Sequence, residues 1–152
     1  MPTVAECRKV LGPPCYPPDL VRRAYGIDKL NSSGLTGKGR TVVVYEQVVP
    51  DTLGKDLETF SRAMKPPAPD LTVDRYDPAG HIAPFDPENS QMADVAMEAT
   101  LDVQMVHMVA PDAKIGLTQI GLPAAVYRPG PSPLPPGRWP DKPPRAQGWA
   151  PN

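Results

Sequence analysis

The chain has 152 residues, a length that suits one domain, and a formal net charge of −1. A net charge this close to zero predicts no nucleic-acid or anionic-membrane partner. No apolar run approaches the roughly 18 residues of a transmembrane helix. The 23 prolines, roughly three times the usual share of about 5%, indicate that only part of the chain folds.

The chain divides into three parts by composition. Residues 1–16 predict an irregular lead-in, residues 17–120 alternate helix and strand signals, and residues 121–152 contain nearly half of the prolines. The last part predicts a disordered tail. Its Pro, Arg, Gly and Trp content is typical of a GC-rich coding region read in the wrong frame, so a frameshifted tail is expected. A genuine proline-rich extension is the alternative.

The N-terminal segment "MPTVAECRKVLGPP" lacks the apolar stretch of a secretory signal peptide. Cys7 and Cys15 flank the turn "LGPP" and could form a disulfide worth about 2–3 kcal/mol in an oxidising compartment. Their spacing is not that of a zinc site.

Periodicity and turn residues predict the elements of the middle part. In chain order they are a helix at 17–25, a strand at 41–49, a helix capped by Asp51 and running to Met64, a strand at 70–76, a loop at 77–90, a helix at 92–109 and a strand at 114–120. Alternation of this kind predicts an α/β fold with a parallel sheet. With only three strands, we expect part of a larger domain, with open sheet edges, uncovered faces, and marginal stability or aggregation.

The glycine loop "GLTGKG" contains Gly34, Gly37 and Gly39. A phosphate-binding loop needs its glycines after a strand and at the start of a helix. These glycines precede a strand, so they predict a tight turn instead.

The helix at 92–109 places Glu98 and Asp102 one turn apart, about 40° from each other around the helix. Both lie in a stripe of Val, Leu and Met, and Thr100 and His107 lie on the opposite side. If that stripe is buried, one carboxyl group should have a raised pKa and share a proton with the other. This arrangement favours a catalytic dyad or a metal site.

Two alternatives remain open for this helix. It could be a solvated helix whose apolar sides flank two charges, or Asp94 could join Glu98 and Asp102 in a cation site. His107 lies opposite Glu98 and cannot complete a triad with it, and His81 is interpreted as a solvated loop residue.

Several segments together resemble the sedolisin (serine-carboxyl peptidase) family. The central one is Glu98-Ala-Thr-Leu-Asp102 followed by Ala110-Pro111-Asp112-Ala113-Lys114-Ile115. The others are "CYPPDL", "PPDLVRRAYGI", "GLTGKGRTVVVYE" and "PFDPENSQM". The resemblance is collinear over about residues 15–120.

The resemblance implies the N-terminal part of a subtilisin-like three-layer α/β domain that hydrolyses peptide bonds in proteins or peptides at acidic pH. A serine would attack the carbonyl carbon, Glu98 would take its proton as general base, and Asp102 would orient Glu98. Glu46, at the end of the first strand, receives no role and is interpreted as a strand-end polar residue. An extracellular location follows from the resemblance alone.

The family pattern is incomplete in this sequence. Its nucleophile lies in a Gly-Thr-Ser motif, which contains none of the serines present: Ser32, Ser33, Ser61, Ser90 and Ser132. The later oxyanion-holding aspartate and the calcium loop expected of the full-length family are also missing. We therefore expect this chain to be inactive alone, with no cofactor of its own. The alternative function is a non-catalytic interaction module that uses the proline-rich tail, residues 131–136, as a polyproline ligand.

Overall fold

The computed structural model describes residues 3–64, 67–78 and 80–121. The predicted disordered tail and its polyproline segment lie outside these residues except for Gly121, and they stay predictions. The described elements are α1 (Val4–Leu11), α2 (Pro18–Ala24), α3 (Ile27–Ser32), β1 (Thr41–Glu46), α4 (Leu53–Met64), β2 (Asp70–Tyr76), α5 (Ser90–Val109) and β3 (Lys114–Ile120).

The N-terminal lead-in is helical, so the prediction of an irregular segment was wrong. Thr3 and Glu6 form a capping box at the start of α1: the Glu6 amide donates to Thr3 Oγ1 at 3.2 Å, and the Thr3 amide donates to Glu6 Oε2 at 2.7 Å. These bonds satisfy amide groups that have no partner inside a helix. The pattern Thr-x-x-Glu was visible in the sequence.

Most other predicted elements are confirmed, with shifted ends. β2 and β3 have the predicted bounds, whereas β1 ends at Glu46, three residues early, because the chain turns before Val48-Val49-Pro50. Helix α4 begins after Thr52, not directly after Asp51, and the Thr52 hydroxyl donates to Asp56 Oδ2 at 2.7 Å. Helix α3 was not predicted.

The three strands form one parallel sheet in the order β1-β3-β2. In register, Glu46 of β1 and Arg75 of β2 both pair with Gln119 of the central strand. Partners in a parallel pair point to the same side, so this row lies on one face. The α/β class with a parallel sheet is thereby confirmed.

One face of the sheet carries the hydrophobic core. Ile115 and Leu117 of β3 pack with Leu53 and Leu57 of α4 and with Val103 of α5, and all five are buried. Helices α4 and α5 therefore cover the same face and also contact each other.

This placement fixes the hands of the two crossovers. The path from β1 to β2 crosses the sheet in one direction, and the path from β2 to β3 returns in the other. Since both connecting helices lie on the same face, the two crossovers have opposite hands. One of them is therefore left-handed, which is rare, because about 98% of such connections are right-handed.

The opposite face is open within the described part of the chain. Val43 is 51% exposed, Tyr45 65% and Tyr76 62%. Parallel sheets are usually covered on both faces, so the expectation of an uncovered face is confirmed. None of the helices in the described ranges is long and apolar enough to cross a membrane.

The glycine loop is a turn into the sheet, as predicted. Gly34, Gly37 and Gly39 all have positive φ. A Cβ on Gly37 would lie 2.8 Å from Ala110 Cβ and 3.0 Å from Ala113 Cβ. Gly37 thus lets the loop approach the segment between α5 and β3.

Candidate active site

Glu46 is the buried carboxyl group at the carboxyl end of β1. Its side chain belongs to the helix-covered face and is only 7% exposed. Burial raises the pKa of Glu46 to about 7, and the negative charges of Asp102 and Glu98, together with a hydrogen bond to Asp102, act in the same direction. Glu46 ends β1, as the sequence interpretation had it, but its burial and its raised pKa were not predicted.

Glu98 and Asp102 project from α5 and are exposed. Their exposure agrees with the alternative of a solvated helix. The side of α5 expected to be polar packs inward instead, because His107 is fully buried. The carboxyl group of this cluster whose pKa is raised belongs to β1. The two helix carboxylates face Glu46 from the neighbouring element.

The buried side of α5 consists of Ala96, Ala99, Val103 and His107 with Met92 and Met108. Small alanines let the helix axis approach the sheet and α4 closely. The larger apolar side chains of Met97 and Leu101 remain 69% and 51% exposed. Apolar residues occur around nearly the whole circumference of α5. The hydrophobic pattern of the helix therefore did not indicate which side packs inward.

The start of α5 is anchored close to the end of β1. Asn89 caps the helix by accepting hydrogen bonds from the amides of Gln91 at 3.1 Å and Met92 at 3.2 Å. Met92 and Ala96 pack with Val48, just after β1, in a second buried cluster. This packing holds the first half of α5 against the residues that follow Glu46.

The carboxyl cluster forms because α5 lies on the same face of the sheet as α4. Glu46 points to the helix-covered face of the sheet. If α5 lay on the other face, the sheet would separate Glu98 and Asp102 from Glu46. The three carboxyl groups can therefore meet only because both crossover helices lie on this face of the sheet.

The negative charges of Asp102 and Glu98 oppose ionisation of Glu46 and add to the effect of its burial. A hydrogen bond between the Glu46 and Asp102 carboxyl groups requires one proton, since an ionised carboxylate only accepts. Burial places that proton on Glu46 below about pH 7. Glu98 remains exposed and able to accept a proton from outside.

The surface of α5 beside Glu98 borders an open space of about 640 Å³. Its lining from α5 includes Met97, Thr100, Leu101 and Gln104. An apolar surface beside an exposed carboxylate can hold an extended apolar group near a proton acceptor.

The two histidines do not join this cluster. Ser61 Oγ donates to Pro67 O at 3.0 Å and lies 3.3 Å from His107 Nε2, so the imidazole donates to Ser61 from Nε2. Burial lowers the pKa of His107. Both side chains are inside the core, where they hold α4 to α5 and cannot reach a substrate. His81 is exposed, as expected.

The predicted disulfide is present: Cys7 and Cys15 are bonded, with their Cα atoms 6.1 Å apart. That separation is within the usual range for disulfides. The cation-site alternative at Asp94, Glu98 and Asp102 finds no support, because residues 3–64, 67–78 and 80–121 contain no group of three or more His, Cys, Asp or Glu side chains that could hold a metal ion. The same ranges contain no carboxylate cluster for the calcium expected of the full-length family.

Comparisons with known proteins assign no family to this chain. A scan against family models, a search of curated proteins and a search of solved structures each found no match.

A sequence signal for Glu46 did exist. Ligand and catalytic groups of open parallel sheets lie at the carboxyl ends of the strands, and Glu46 directly follows the run Thr-Val-Val-Val-Tyr. The position of this carboxylate at a strand end is enough to make Glu46 a candidate site residue.

Proposed function

We propose that this chain forms the acid–base half of a serine-carboxyl endopeptidase centre in a subtilisin-like domain. The observation that carries the proposal is the convergence of Glu46, Glu98 and Asp102 on the helix-covered side of β1, with the Glu46 pKa raised to about 7. The collinear resemblance to the sedolisin family gives the substrate class, proteins or peptides, and the Cys7–Cys15 disulfide agrees with an extracellular location.

In this mechanism Glu98 is the general base. It takes the proton of a serine hydroxyl as the serine oxygen attacks the peptide carbonyl, and it later returns that proton to the leaving amine. Its exposure on α5 lets it meet a nucleophile brought from outside the described residues. A carboxylate base suits acidic pH, where a histidine would already be protonated.

Asp102 and Glu46 are positioning residues. Protonated Glu46 donates a hydrogen bond to Asp102, which fixes the Asp102 carboxylate beside Glu98. The proton on Glu46 also keeps the total charge of the cluster low. When Glu46 ionises near pH 7, charge repulsion spreads the cluster, so activity falls toward neutral pH.

The nucleophile comes from polypeptide outside these 152 residues on this proposal. None of the five serines stands in a Gly-Thr-Ser motif, and Ser61, which lies beside a histidine, is buried. Because members of a triad act as a unit, the chain alone is expected to be inactive.

The deciding experiment starts at the codon for Gln119. The transcript is sequenced from that codon onward and translated in all three frames, and the product of a frame that encodes a Gly-Thr-Ser motif is expressed. We expect it to hydrolyse a denatured protein at acidic pH. Glu98→Gln should lower kcat by about 10²-fold or more, and Glu58→Gln, an exposed glutamate on α4, should leave it unchanged.

Two results would refute the proposal. The first is the absence of a Gly-Thr-Ser motif from every frame. The second is full activity of the Glu98→Gln variant under conditions in which the Glu58→Gln control is also active.

A further inference from the structure

A second cleft lies at the carboxyl edge of the sheet, next to the carboxyl cluster, since Gln119 in its wall is the register partner of Glu46. Its volume is about 250 Å³, and it is lined by Arg75 and Gln119, which are register neighbours on β2 and β3, by Asp51, and by the loop that contains Ile82 and Phe85. None of the three carboxyl groups of the cluster lines it. In open α/β sheets, ligands bind at this edge.

The loop over this cleft is held in place. Asp77 accepts hydrogen bonds from the amides of His81 at 2.7 Å and Ile82 at 2.8 Å. These two bonds lower the pKa of the Asp77 carboxyl group. The wall formed by Ile82 is therefore part of the fold at neutral pH.

Gln119 presents a buried acceptor at this cleft. The residue is 4% exposed, and its Nε2 donates to the Gln47 carbonyl oxygen at 3.2 Å, which sets the orientation of the amide. Within the described ranges, Gln119 Oε1 is buried and has no hydrogen-bond partner. Buried polar atoms are nearly always paired, so a donor is missing from this wall of the cleft.

Two opposite charges lie on the same cleft without pairing. Asp51 and Arg75 both line it and are exposed. Among residues 3–64, 67–78 and 80–121, neither forms an ion pair; the salt bridge seen there joins Arg23 and Asp19. The cleft thus offers a cation, an anion and an unused amide oxygen around one small space.

We propose that this cleft binds a small zwitterion, a free amino acid or a dipeptide. Arg75 binds the carboxylate, Asp51 binds the ammonium group, and Gln119 Oε1 accepts an N–H bond from the ligand. The volume is below the roughly 300–1,000 Å³ of pockets for drug-sized ligands, which favours a ligand of one or two residues. The inference does not rest on the proposed peptidase function, since binding requires no turnover.

The test measures binding of small probes to the full chain. Binding is detected by NMR, from the side-chain NH₂ resonances of Gln119, and by calorimetry. The probes are glycine, Gly-Leu, the C-terminal amide of Gly-Leu and its N-acetyl derivative. We expect glycine or Gly-Leu to shift the Gln119 resonances. We expect loss of the carboxylate or of the ammonium group to weaken binding about tenfold or more.

Variants separate the site from general charge effects. Arg75→Gln should weaken Gly-Leu binding about tenfold and should not weaken the amide further, because the two changes remove the same contact. Arg40→Gln, an exposed arginine just before β1 at the opposite end of the sheet, is the matched control and should bind normally. Tighter binding of glycine than of Gly-Leu would identify a free amino acid, and the reverse order a dipeptide.

Either of two results overturns the inference. One is that no probe shifts the Gln119 resonances at millimolar concentration. The other is that Arg75→Gln and Arg40→Gln bind Gly-Leu equally well.

Discussion

The carboxyl groups of Glu46 and Asp102 share a hydrogen bond between the end of β1 and the middle of α5. Glu46 is buried and Asp102 is exposed, so the pair connects the interior of the sheet to the surface on which Glu98 lies. Acidic pH keeps this connection intact, since the bond requires a proton.

The stability of the chain should therefore depend on Glu46. Its pKa rises from 4.5 to about 7 on folding, so between these values the folded state holds more protons than the unfolded state. The contribution of Glu46 is fully present below pH 4.5 and is lost as the pH rises through 7. Glu46→Gln should leave stability near pH 4 almost unchanged and raise it above pH 7, by at most about 3 kcal/mol.

Urea unfolding at a series of pH values measures this difference. Glu58→Gln, which changes the same residue type on the exposed side of α4, serves as control and should follow the parent chain. An equal gain for Glu46→Gln at pH 4 and pH 8 would show that burial of the charge is not the cause.

His107 should act in the opposite direction. Burial lowers its pKa below 6.5, although the Pro67 carbonyl and the Asp112 carboxylate partly oppose the shift. The unfolded state then binds more protons, so stability is lost as the pH falls below 6.5. His107→Gln keeps an N–H donor for Ser61 and should flatten the decline in unfolding free energy on acidification. Unchanged slopes in the variant would contradict this assignment.

Gly37 should be intolerant of a side chain. Its φ is +81°, and a Cβ would meet Ala110 Cβ at 2.8 Å. Gly37→Ala combines backbone strain with a steric clash and should cost about 2–4 kcal/mol. Gly39 has φ of +76° with open space around it, so Gly39→Ala isolates the backbone strain and should cost about 1 kcal/mol. Chemical denaturation of the two variants gives the comparison, and equal costs would rule out the clash.

The sequence predicted where the helices and strands lie better than which side of each is buried. β2 and β3 could be bounded because β-branched residues lie between turn residues, and the partners Glu98 and Asp102 could be selected by type and spacing. The buried side of α5 could not be predicted, because the small residues Ala96 and Ala99 pack inward while larger apolar side chains stay outside. The proximity of Glu46 to Glu98 and Asp102 depends on the hand of a crossover connection, which no local sequence pattern encodes.

The open face of the sheet should cause self-association. Val43 and Tyr45 are alternate residues of β1, so they point to the same side of the sheet, where they are 51% and 65% exposed. Tyr76 of β2 adds a second exposed ring to that side. Because exposed apolar surface of this kind favours aggregation, we expect sedimentation velocity to show concentration-dependent association of the chain.

Charge on that face should suppress the association. Tyr45→Lys places a cation on an edge strand, a common protection against edge and face pairing, and should shift the chain toward monomer with a stability change within about 0.5 kcal/mol. Leu35→Lys changes an equally exposed residue, also 65% accessible, in the loop before β1, and should leave association unchanged. If both variants reduce association equally, net charge is the cause and not the sheet face. If the parent chain is monomeric throughout, the open face does not drive association.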